Sequence, residues 1–352
     1  MSKTLLLEDG NFSIWKEQGI ATEAIEFLDS ISWGSDGAVY EHKNTSEHFK
    51  FISNPYLVTI TENGKIMGTA VFCNPQVTVA GKPFNYYYTR YFASSPLIRG
   101  KGVIKKLAVE LMSSIREGEI SKTIFVGFIE RGNKSSYKVT EAAGYHTIGT
   151  IKTVGFSRFF PKKSNKIQQV KTEQEKRNVI ALLKEQYSQH ALVQFDYLFM
   201  HDNYYVIKEN NEIVAGCQFH KAHWVVNKMP GLMGKIILNV VPLTPLLNQL
   251  FNPKKFEFLA FEGLFFKPGY ENRLHELFEG LLAKEKLKSA LFWMAEKCPY
   301  YKSLTAYGKL GLINNFVKDS DVYIMASYKN MTEEEISMTE KSPLYASGFD
   351  YI

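Results

Sequence analysis

The sequence predicts an α+β (mixed α/β) protein made of two successive domains, each a mostly antiparallel sheet flanked by helices. Residues 56–72 alternate apolar and polar around Asn63-Gly64, which suits a tight hairpin turn. A Tyr- and Phe-rich run at 84–92 passes through a glycine turn into Val103, Leu107, Leu111 and Ile115, which recur at helical spacing. Beyond residue 168 the same order of elements returns.

Residues 12–55 read as an opening strand and two helices, with helical signals over 21–30 and 45–52. Ser32-Trp-Gly-Ser-Asp-Gly37 breaks between them. After the first hairpin, strands at 76–80 and 84–94 connect through Gly81-Lys-Pro83. Arg99-Gly-Lys-Gly102 then opens a helix, 123–129 forms a strand, and 147–160 supplies closing strands. Pro161-Lys-Lys-Ser-Asn-Lys166 is polar, basic and opened by proline, as linkers are. The expected division is a first domain at 1–160, a linker at 161–167 and a second domain at 168–330. A polar acidic tail, 331–352, is expected to be loosely held.

In the second half a helix at 173–188 precedes a hairpin at 204–219. Glu62-Asn-Gly-Lys-Ile-Met-Gly-Thr-Ala-Val-Phe72 lies over Glu209-Asn-Asn-Glu-Ile-Val-Ala-Gly-Cys-Gln-Phe219 without a gap. Strand 256–266, helix 271–286, strand 290–295 and helix 301–310 repeat the order around the first glycine turn, which points to internal duplication.

A length of 352 residues suits two cores rather than one. The net charge of +6 helps attract an anionic cofactor, but without a continuous basic arm it gives no reason to expect nucleic acid as a partner. Cys73, Cys217 and Cys298 are scattered and lack metal-ligand spacing, so buried reduced thiols in the cytoplasm are expected and no metal. The first residues are too short an apolar run for a secretory signal. Residues 229–251 are the most hydrophobic stretch, but Lys235, Asn239, Pro242, Pro245 and Asn248 interrupt it. A helical hairpin, or a cap over a cleft, is expected there rather than a membrane span.

The turn Arg99-Gly-Lys-Gly102 has the chemistry of an anion site. Backbone N–H groups at a helix start are unpaired and carry the positive end of the dipole, and Arg99 and Lys101 add charge. Pro96-Leu-Ile-Arg-Gly-Lys-Gly-Val103, closing a strand and opening a helix, resembles the acetyl-CoA pyrophosphate loop of the GNAT N-acetyltransferase superfamily. Asn133-Lys-Ser-Ser-Tyr-Lys-Val-Thr-Glu-Ala-Ala-Gly-Tyr145 is similar to that family's second motif helix. The resemblance implies two tandem GNAT-like domains with splayed sheets. The second is degenerate, because Lys267-Pro-Gly-Tyr-Glu-Asn272 replaces the phosphate loop with a proline and a negative charge.

It further implies acetyl-CoA or another acyl-CoA as co-substrate, held by Arg99, Gly100, Lys101, Gly102 and Val103. The pantetheine arm would run along Phe92, Ala93 and Ser94, with Asn133 and Ser136 supporting it. Trp33, Tyr40 and His48, between the first helices, are candidates to meet an amine acceptor, either a small molecule or a peptide. Glu130 is the candidate base that frees the amine of its proton. The terminal carboxylate is another, because N-myristoyltransferases resemble tandem GNAT proteins and use theirs. The chain departs from the family where a tyrosine often protonates the leaving thiolate. That position is Thr140, and Tyr137 points elsewhere on a regular helix.

The resulting expectation is N-acyl transfer from acetyl-CoA by direct attack of an amine on the thioester. The alternatives are a CoA-binding sensor or scaffold without turnover, and a tandem transferase of long acyl or aminoacyl groups with 229–251 over a lipid tunnel.

Overall fold

The computed structural model describes residues 3–34, 37–43, 45–52, 54–99, 102–317 and 320–351. In the first half, β1 (Lys3–Asp9) and β2 (Phe12–Gln18) form a hairpin where one opening strand was expected. Helix α1 (Thr22–Asp29), β3 (Val39–His42) and the short α2 (Thr45–Phe49) follow, then β4 (Tyr56–Glu62), β5 (Lys65–Cys73), β6 (Gln76–Val79) and β7 (Lys82–Ser94). Next come α3 (Val103–Gly118), β8 (Thr123–Glu130), α4 (Lys134–Ala142) and one long closing strand, β9 (His146–Ser157).

The second half opens with β10 (Ile167–Gln169) and α5 (Glu173–Gln186), then β11 (Tyr204–Glu209) and β12 (Glu212–Lys228). Helices α6 (Gly231–Val240) and α7 (Pro245–Asn248) precede β13 (Phe256–Phe266), α8 (Glu271–Glu285) and β14 (Ser289–Ala295). Helices α9 (Pro299–Ala306) and α10 (Leu312–Val317), β15 (Val322–Lys329) and α11 (Glu333–Lys341) complete the chain.

The two hairpins aligned in the sequence turn alike. Asn63 and Gly64 have φ of 51° and 80°, and Asn210 and Asn211 have 51° and 63°, the positive values that a primed turn demands. Each half also holds one parallel pair, β7 with β8 and β13 with β14. The final strands are exchanged: β9 pairs with β14, and β15 pairs with β8. Pairing of β15 with β9 then joins both halves into one fifteen-stranded sheet. A boundary near residue 160 therefore divides the chain but not the sheet. The largest apolar cluster draws on both sides of it, from Ile124 and Val126 to Phe261 and Phe292.

The last segment is not the loosely held tail its composition suggests. Three of its five acids, Glu333, Glu334 and Glu335, sit in the first turn of α11, where Thr332 and Glu335 form a capping box and negative charge suits the dipole. Beyond the helix, Leu344, Tyr345 and Phe349 are buried, so apolar burial ties the segment down. Leu344 and Tyr345 lie against Glu262, Gly263 and Met294, where β13 and β14 cease to pair. The Ser347 hydroxyl donates to Glu262, whose other oxygen is 2.6 Å from His220 Nε2. All three cysteines are buried.

Candidate functional site

β7 and β8 run parallel from Asn85↔Thr123 to Thr89↔Gly127 and then part. The register of β7 against β5 shifts between Arg90↔Val71 and Ala93↔Thr69, and Tyr91 sits at φ 48°, a bulge in a strained backbone state. The Thr69 hydroxyl donates to the Tyr91 carbonyl, supporting the bulge. Beyond it β7 stays with β5, while β8 follows β15 to Glu130↔Val322. A cavity of about 1020 Å³ opens between the diverging ends.

One lobe lies under the inner face of α3, where Ala108, Leu111 and Met112 meet Ala70, Phe72 and Tyr145. Met229, Pro230, Gly234 and Ile237 wall another side, so the hydrophobic stretch 229–251 does form a helical cap on the cleft. β3 pairs with β12 and brings in an aromatic face. Tyr40 stacks on Trp224 at 4.4 Å, and Trp33 stands edge-on to Tyr91 at 6.0 Å.

Polar groups are few and placed. The Tyr40 hydroxyl donates to Glu130, at the end of β8. Burial raises the Glu130 carboxyl above its ordinary value, and the hydrogen bond from Tyr40 acts against that rise. His42, also in the wall, is lowered to about 3 by burial first and then by the charges of His48 and Arg90. Arg90 Nη2 donates to the Phe349 carbonyl at 3.2 Å, with its guanidinium 4.7 Å from the centre of the Phe349 ring. At the rim, Asp321 accepts from Lys152 at 2.8 Å and Arg131 at 3.3 Å. Among the described residues no group of three or more His, Cys, Asp or Glu is placed to hold a metal, and no helix is long and apolar enough to cross a membrane.

Of the residues singled out in the sequence, Trp33, Tyr40, Phe92, Glu130, Asn133 and Ser136 line the cavity. Asn133 caps α4 by accepting from Ser136 N at 3.1 Å. Thr140 lines the cavity, whereas Tyr137 lies 3.3 Å from the Thr147 hydroxyl and is not in the wall. Ala93 and Ser94 are not in the lining and ladder with Thr69 and Gly68. His48 is buried away from the cavity, 6.4 Å from the Phe349 ring.

Arg99, Gly102 and Val103 also stand outside the lining, at the head of α3. Gly102 is the N-cap at φ 77°, and a Cβ there would meet nothing within 4 Å. The first turn of α3 has no acidic residue, and Arg99 is exposed, its Nε donating to the Ser94 carbonyl. Gly100, Lys101 and Ile352, with the terminal carboxylate, fall outside the described residues. Sequence reasoning missed Arg90, Tyr91, His42, Trp224 and Trp293. Only the tryptophans had a signal, as large aromatics within strands.

No protein-family model matches the sequence, and comparison with curated proteins gives no match. Solved structures do match. Saccharomyces cerevisiae N-myristoyltransferase with bound myristoyl-CoA is similar over 97% of this chain and 91% of its own, at a TM-score of 0.59 and 10% identity. A second structure of that protein with myristoyl-CoA gives 0.61 over 97% and 86%, again at 10% identity. The GCN5-related N-acetyltransferase from Anabaena variabilis is similar over 88% of this chain and 72% of its own, at 0.47 and 12% identity. With its two like-turned hairpins, one parallel strand pair in each half and exchanged last strands, the chain shares the fold of the yeast N-myristoyltransferase over nearly its whole length.

Proposed function

We propose that the protein is an acyl-CoA-dependent N-acyltransferase, in which an amine attacks the thioester directly. The observation that carries this reading is the cavity at the β7–β8 splay. It joins an apolar wall under α3 to a part-buried carboxylate, Glu130, while the head of α3, outside the lining, is a helix start fit for phosphate. In this reading the head of α3, with Arg99, Gly100, Lys101, Gly102 and Val103, holds the diphosphate. Phe92, Ala93 and Ser94 flank the pantetheine arm, and Asn133 and Ser136 bound the same cleft. Glu130 takes the ammonium proton, and its burial moves it toward the pH at which a base works best. Tyr40 and Trp33 face the acceptor, a small-molecule or peptide amine.

The cavity as a whole, about 1020 Å³, is larger than an acetyl group requires, and the yeast protein of like fold binds myristoyl-CoA. A long acyl chain is therefore favoured over acetyl as the group carried. Incubation with acetyl-, octanoyl- and myristoyl-CoA and a panel of amines and N-terminal peptides, read by thiol release, tests this. Release above hydrolysis with a longer donor supports it, whereas no release with any donor leaves the sensor reading. That second reading is favoured by Thr140 standing in the wall where a phenol would protonate the leaving thiolate.

A further inference from the structure

The helix that caps the cavity is apolar on its outer face as well. Along α6, Leu232, Ile236 and Val240 recur every four residues and are 75%, 41% and 49% exposed, while Ile237 and the following Val241 are buried. Leu243 and Leu246 add two more side chains, 79% and 47% exposed. Single exposed apolar residues are ordinary, but here a run of them falls within fifteen positions. Lys235 and Asn239 share that exposed face, the mix of apolar and basic side chains that interfacial helices carry.

The charge around it selects what covers the outer face. Residues 213–256 contain Lys221, Lys228, Lys235, Lys254 and Lys255 and no acidic residue. Lys221 pairs with Glu285 and Lys255 with Glu257, but Lys228, Lys235 and Lys254 are exposed and make no ion pair among the described residues. Glu41, which bonds Asn227 nearby, is paired with Lys43.

We propose that the outer face of residues 231–248 is a docking surface for an anionic lipid bilayer. Leu232, Ile236, Val240, Leu243 and Leu246 enter the boundary between headgroups and acyl chains, and Lys228, Lys235 and Lys254 meet the lipid phosphates. The contact is peripheral, because no described helix is long enough to span. A second copy of this chain fits less well, since its unpaired lysines would face these across the interface. The proposal concerns the outer face and does not depend on what the cavity binds.

Co-sedimentation of the full chain with vesicles tests it, using phosphatidylcholine alone and phosphatidylcholine mixed with phosphatidylserine. The mixed vesicles are expected to bind at least about tenfold more tightly, and less so as salt is raised. The triple variant L232S/I236S/L243S, with unchanged melting temperature, is expected to lose that binding, and K235E/K254E to lose the preference for phosphatidylserine. Failure of the wild type to bind mixed vesicles, or undiminished binding by the triple variant, overturns the proposal. So does a dimer in sedimentation velocity that the triple variant dissolves, which assigns the face to a second copy.

Discussion

The Tyr40 hydroxyl donates its hydrogen bond to the Glu130 carboxylate, joining a strand held on β12 to the end of β8. This bond favours the ionised carboxylate, whereas burial disfavours it. Tyr40→Phe removes the favourable part alone, so the Glu130 pKa rises. A base must be unprotonated to act, so the acid limb of kcat/KM is expected to move to higher pH while the maximal rate changes less. Glu130→Gln is expected to lower kcat by about 10²–10⁴-fold. A pH–rate profile in Tyr40→Phe that overlies the wild type would remove Glu130 from the role of base.

Gly102 gives a second test. Its φ of 77° and open surroundings mean that a β-branched residue there strains the start of α3 and covers its N–H groups. Losing one hydrogen bond to a charged group costs about 1.5–3 kcal/mol, so Gly102→Val is expected to weaken CoA binding about 10–100-fold by calorimetry. Gly81 has a similar φ of 79° and equally open space, in the β6–β7 turn at the other end of β7. Gly81→Val is therefore expected to lower the melting temperature yet spare CoA affinity. Equal losses in both variants would mean that strain, and not the anion site, is being measured.

What the sequence disclosed was local. Asn63-Gly64 specifies its turn by φ alone, and Val103, Leu107, Leu111 and Ile115 specify α3 by spacing, so both could be read from neighbours in the chain. The exchange of β9 and β15 could not, because Ser157 meets Ser289 and Lys329 meets Thr123 across long separations that no short pattern encodes. The site followed the same divide. Glu130 and Asn133 were reachable through motif position, whereas Arg90 enters the wall only because the bulge at Tyr91 redirects β7. Phe349 sounded like a tail residue, and it is fully buried, stacked on Tyr197 at 4.0 Å.

Phe349 therefore supports a stability prediction. Truncating a fully buried phenylalanine costs about 3–5 kcal/mol, and Phe349→Ala also strips the ring from Arg90 and Tyr197. A drop of that size in urea unfolding is expected. A change below about 1 kcal/mol would show that the C-terminal segment is not docked as described.

The apolar lobe predicts a dependence on acyl length. Each methylene that leaves water contributes about 0.8 kcal/mol, so acyl-CoA affinity is expected to rise about fourfold per methylene until the lobe is full. Ala108, on the inner face of α3, lines that lobe, and Ala108→Leu fills part of it. The variant is expected to prefer a shorter chain than the wild type in competition binding with an acyl-CoA series. Affinity independent of chain length in the wild type would leave the lobe without a role in donor binding.

Buried histidines set the response to acid. His48, His190 and His275 are each lowered to about 4, chiefly by burial, and are 8%, 2% and 7% exposed. Between about pH 4 and 6.5 the unfolded chain binds protons at these sites and the folded chain does not. At these sites stability is therefore whole above pH 6.5 and falls as the pH drops, by about 1.4 kcal/mol per pH unit for each imidazole kept uncharged; His42 adds in the same direction, and the raised carboxyls of Glu130 and Asp196 subtract. Carboxylates with depressed values act lower: Glu175, held at about 2 by the Thr172 and Lys171 N–H groups, loses its contribution only below the ordinary carboxylate range. Urea midpoints taken from pH 7 to pH 5 are thus expected to fall steeply, and His275→Gln to flatten the slope by one proton. A midpoint constant over that range would mean that these imidazoles are protonated, or reached by water, in the folded protein.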